Sequence, residues 1–166
     1  MGAFEAIGKY ATVAMYAAGV GDFRAAVAIL EDLQEAYGPH GIGIAALMWI
    51  DSSLHGAIPE EPLPDNVFFR PGVQIVKDDG TVDRVEVDLD SVPPEVAWAA
   101  RMIAARAGWD KDNFTALLQS IPDGQDEVYL MSLLMCCVET AKARKLDPSI
   151  VVVRNGTLGQ EPNHDR

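Results

Sequence analysis

Basic residues are scarce in this chain. Thirteen Lys and Arg stand against 25 Asp and Glu, a formal net charge of −12. Displacing counterions from phosphates needs concentrated positive surface, so direct nucleic-acid binding is not expected. Cysteine is scarcer: Cys136 and Cys137, adjacent in sequence. Two neighbouring cysteines build no disulfide framework, and the expectation is a reduced, cytoplasmic protein. No apolar run approaches the ~20 residues of a membrane helix. The N-terminus, residues 1–5 (MGAFE), has no basic segment ahead of an apolar one, so no signal peptide is expected. Residues 38–43 (GPHGIG) match neither glycine-rich fingerprint, and no Lys or Ser/Thr follows at phosphate-loop spacing. They read as a turn with His40 exposed. A Ser-centred nucleophile elbow is also missing. The sequence carries no strong catalytic motif and does not disclose an activity.

What is present is apolar mass. Hydrophobic residues make up 49% of 166, and the mean hydropathy is +0.06. That suffices for one core and is rather apolar for a monomer, which hints at an oligomer or a partner surface. Residues 1–154 read as a single, mainly α domain of about six helices, with residues 155–166 as a tail. The helices are expected over 3–18, 23–37, about 44–56, 94–107, 114–121 and 126–145, from apolar residues at helical spacing. Asp22 suits an N-cap, Asn113 or Asp110 another, and Pro93 or Pro94 a helix start.

Between the helical halves lies Pro59 to Pro94, fenced by Pro59, Pro62, Pro64, Pro93 and Pro94. Charged Arg84, Glu86, Asp88 and Asp90 alternate with apolar Val85, Val87 and Leu89, the period of a strand with one dry face. The expectation is an inserted β-hairpin at about 67–90. A three-residue loop, Asp78, Asp79 and Gly80, pairs Val73 with Val85 and lays the dry face on the helices. Residues 148–154, β-branched, are expected as a third strand beside it. The two halves look alike: Asp22 and Phe23 match Asn113 and Phe114, and Leu47 and Met48 match Leu134 and Met135. A duplicated three-helix unit is one explanation. Shared amphipathic patterning is the other.

Charge is uneven. Residues 59–94 hold nine acids and three bases, half of the net −12. An acidic face for a basic partner is one reading; solubility and a guarded sheet edge is the other. Asp51 and His55, four apart on an expected helix, are weak catalytic candidates: a carboxylate orienting an imidazole serves a base or a metal ligand. A metal needs further ligands, and Glu139 is only a guess. A hydrogen-bonded polar pair at the edge of the core is the more ordinary explanation. The cysteines, within an apolar helix, read as buried thiols. Met48, Trp49, Trp98, Met102, Trp109, Met131 and Met135 either line a pocket for a flat apolar ligand or fill the core.

These features favour a non-enzymatic protein–protein interaction or assembly module and homodimer. It presents an acidic segment through Glu86, Asp88 and Asp90, with Trp49, Trp98 and Trp109 as further binding candidates and no cofactor or metal. The alternatives are a small-molecule-binding bundle or enzyme using Asp51 and His55, and an acidic inhibitor of a nucleic-acid-processing partner.

Overall fold

The computed structural model describes residues 2–55 and 88–146, together with residue 79 and the backbone of 72–76, 82–86, 153–154 and 157–158. Five helices build it: α1 (Ala3–Gly19), α2 (Phe23–Ser53), α3 (Pro94–Ala107), α4 (Lys111–Gln119) and α5 (Asp126–Leu146). α1 packs on α2, α3 on α5, and α2 on α5, so α2 and α5 form the centre. Leu33, Trp49, Ile50, Met102, Leu133, Leu134 and Cys137 are fully buried in the core that these helices share. Among the described residues no helix is long and apolar enough to cross a membrane.

The expected six-helix bundle is overturned: among the described residues there are five helices, because 23–37 and most of 44–56 belong to one element. α2 kinks at Gly38 (φ 59°, ψ −159°) and resumes at once with Pro39. Proline is preorganised for a first helical turn, so the break lasts one residue instead of six. Gly41 and Gly43 stay helical because packing uses their lack of a side chain. A Cβ on Gly41 would stand 2.4 Å from Tyr37 Cβ, and one on Gly43 would stand 3.4 Å from Leu118 Cδ1.

The inserted hairpin is not seen over its expected span of about 67–90; the fold is carried by helices. Among the described residues, backbone pairing in this region is a short antiparallel ladder, β1 (Gly72–Val76) with β2 (Val82–Glu86), in which Val73 stands opposite Val85. The long second strand ends early because Asp88 opens a turn. Its carboxylate accepts from the Asp90 amide at 3.0 Å, and its carbonyl accepts from Ser91 N at 3.0 Å and Ser91 Oγ at 2.7 Å. Local side-chain bonding of this kind competes with a ladder. The fencing prolines 59, 62 and 64, the three-residue loop apart from Asp79, and the contact of a dry face with the helices lie outside the described residues. The third strand does not join: β3 (Val153–Arg154) pairs with β4 (Thr157–Leu158) in a separate ladder. The rest of the tail is likewise outside the described residues.

A repeated architecture is nonetheless visible. α1 ends when the Asp22 amide reaches the Ala17 carbonyl at 2.9 Å and the Gly21 amide reaches Ala18 at 3.1 Å. α3 ends the same way: Asp110 N to Ala105 O at 2.9 Å, and Trp109 N to Arg106 O at 3.2 Å. This is the Schellman pairing, with its pivot residue left-handed. Gly21 (φ 81°) is the pivot in the first half and Trp109 (φ 60°) in the second. Each pivot precedes an aspartate N-cap, Asp22 accepting from Ala25 N and Asp110 from Asn113 N. Buried Ala11, Ala14 and Ala17 stand where Ala99, Met102 and Ala105 are buried in α3. The two halves therefore correspond 88 residues apart at these caps, Asp22 to Asp110, rather than Asp22 to Asn113.

Candidate functional site

Asp51 sits in the last turn of α2 and Arg106 in the last turn of α3. The two helix ends meet there. Arg106 Nε donates to Asp51 Oδ1 at 2.7 Å and Nη2 donates to Oδ2 at 2.9 Å. The fork occupies both carboxylate oxygens. The Arg106 guanidinium also lies 5.3 Å from the Trp109 ring centroid, within cation–π range. His55 is not brought to Asp51 by any hydrogen bond. α2 stops at Ser53, so the four-residue spacing no longer places both side chains on one helical face. His55 is exposed, and its backbone carbonyl accepts from Arg144 Nη2 at 2.9 Å. Glu139 pairs instead with Lys142 at 3.2 Å, in solvent. Among the described residues no group of three or more His, Cys, Asp or Glu is placed to hold a metal ion.

The three tryptophans go to three places. Trp49 is buried between α2 and α1, its indole donating to the Ala11 carbonyl at 2.9 Å. Trp98 is buried on α3, donating to Leu117 O at 2.8 Å and meeting Tyr129 edge-on at 5.5 Å. Trp109 caps α3. Buried indoles with satisfied N–H groups are core anchors. Cys137 is fully buried; loss of solvation pushes its thiol up to about 12, with the neighbouring Cys136 adding and a Ser53 hydrogen bond opposing. Burial raises Cys136 too. Neither thiol is activated as a nucleophile. Asp88 and Asp90 are exposed, with Asp88 engaged in its turn; the Glu86 side chain lies outside the described residues.

Two open recesses mark the described surface. One lies between α1 and α2, where Met15, Tyr16, Met48 and Trp49 border it. The other is lined by Phe23, Arg24, Val27 and Glu31 of α2 with Glu127 of α5. Neither includes Asp51, His55, Trp98 or Trp109. Between them runs a feature that the expected site residues omit. Val13 (50% exposed), Tyr16 (71%) and Val20 (62%) form an outward stripe on α1, and Phe23 (49%) follows across the turn. Spacings of three and four align the first three on one helix face. The signal was in the sequence: residues 10–21 contain no charged side chain in a chain of net charge −12. Ala-rich α1 has apolar residues on every face, which normally means a helix covered on every side.

No family model, curated protein or solved structure matches this chain.

Proposed function

We propose that this chain is a non-enzymatic interaction or assembly module that works through its surface. The observation that carries the reading is the stripe of large apolar side chains held in water on α1 and at the start of α2. Tyrosine and phenylalanine in such a patch are typical anchors of a protein interface. The candidate catalytic carboxylate supports the same view, since Arg106 occupies both of its oxygens.

The acidic residues contribute the finer part of the proposal. Exposed Asp90, with Glu86, belongs to the acid-rich segment 59–94, whose field steers a basic partner. Glu86→Lys with Asp90→Lys should weaken binding of such a partner several-fold, most at low salt. Asp88 is left intact in this test because it holds the turn.

Native mass spectrometry of the full chain, gently isolated from its host, tests the reading. Bare protein masses, as multiples of the chain or complexes with another polypeptide, are expected. A stoichiometric metal or small-molecule adduct would overturn it in favour of a ligand-binding bundle.

A further inference from the structure

We infer that Val13, Tyr16 and Val20 of α1, continued by Phe23, form the contact through which two copies of this chain associate about a two-fold axis. The inference rests on the interaction-module reading and names its partner.

The fold itself does not call for these residues. α1 and α3 end in the same cap 88 residues apart, and three buried inward positions of α1, Ala11, Ala14 and Ala17, correspond to buried Ala99, Met102 and Ala105 of α3. The outward positions differ. Where α1 has Val13, Tyr16 and Val20, α3 has Arg101, Ala104 and Gly108; where α2 begins with Phe23, α4 begins with Lys111. One half of the molecule is polar or small at the place where the other is large and apolar. The second half serves as an internal control: an apolar stripe there is not a condition of folding.

Charge points to the identity of the partner. Each copy carries −12, so two copies repel wherever acidic surfaces face each other. Residues 10–21 carry no charge, which makes this strip the place where like-charged copies meet at least electrostatic cost. A two-fold contact needs a patch complementary to itself. Valine, tyrosine and phenylalanine satisfy that condition, with the tyrosine hydroxyl reaching the wet rim. A basic partner would be drawn instead to the acidic segment. The twelve uncharged residues make a strip about 18 Å long and about 10 Å wide. That is smaller than the ~800 Å² per partner of a standard interface. The dimer is therefore weak.

Sedimentation velocity of the full chain from about 1 to about 500 μM reads this directly, where 1 μM corresponds to about −8.2 kcal/mol. The weight-average mass should rise from monomer to dimer with its midpoint inside this range. Raising the salt should lower the midpoint, because it screens the repulsion and leaves apolar contact intact. Tyr16→Glu and Val20→Glu should each raise it tenfold or more with unchanged circular dichroism, since both positions are exposed. Arg101→Glu, at the matching place on α3, should leave it unchanged. A monomer at every concentration, a dimer indifferent to Tyr16→Glu and Val20→Glu, or association weakened by salt would each overturn the inference. So would a monomer whose Tyr16 becomes accessible to labelling only after residues 147–166 are removed, since the chain would then cover its own stripe. Failure of the underlying reading would show separately, as a ligand adduct.

Discussion

At the scale of the residue, Trp109 is the informative position. It is the only non-glycine with a positive φ among the described residues, and it occupies the helix-ending place that Gly21 fills in the first half. A left-handed conformation costs an ordinary residue about 1–2 kcal/mol. Trp109→Gly should therefore be more stable than Trp109→Ala by about 1 kcal/mol in urea denaturation. Equal stability would contradict the left-handed cap. The sequence shows a Gly at 108, one position early, which is why the cap was not legible in it. The cysteines were legible: an apolar helix around Cys136 and Cys137 implies buried thiols, and both are raised by burial. Cys137 has its folded value raised above the ordinary 9.0, to about 12, so the unfolded chain gives up that proton first. Its contribution is full below pH 9 and is lost as pH rises from there toward 12. Cys137→Ala should flatten that alkaline loss in urea midpoints measured at pH 8 and pH 10, apart from its own packing cost. An unchanged slope would show that the thiol is not shielded.

At the scale of the element, glycines decide what α1 and α2 tolerate. Gly8→Ala on α1 places its methyl 3.5 Å from the mobile end of Met48, an ordinary contact. It removes the backbone freedom of a helical glycine and should stabilise by about 0.5–1 kcal/mol. Gly41→Ala on α2 forces a Cβ to 2.4 Å from that of Tyr37, against backbone that cannot yield cheaply. It should destabilise by about 2 kcal/mol or more. Paired thermal melts check both signs. Sequence patterning found the helical segments because apolar spacing and aspartate caps act locally. It missed the continuity of α2 because what keeps Gly41 and Gly43 helical is tertiary packing, invisible in a glycine-rich run. It extended the second strand to Asp90 because charge alternation is blind to a side chain that turns on its own backbone, as Asp88 does.

At the scale of the whole molecule, α1 and α3 end in the same cap and share three buried positions but differ on their outward faces. The sequence match between the two halves was drawn at Asp22 with Asn113, whereas the caps pair Asp22 with Asp110. The candidate site was the least legible part. Asp51 and His55 were joined by a helix spacing that α2 does not sustain, and Trp49 and Trp98 satisfy their indoles within the core. The exposed stripe is hard to read from sequence because valines and a tyrosine in an Ala-rich helix look like core until burial shows which of them face water. Hydroxyl-radical footprinting tests the account most directly. The chain at several hundred micromolar is compared with the dilute chain. Tyr16 and Phe23 should be protected in the concentrated sample, while exposed positions on α3 and α4 react alike in both. Equal oxidation of Tyr16 in the two samples would contradict a role for this surface.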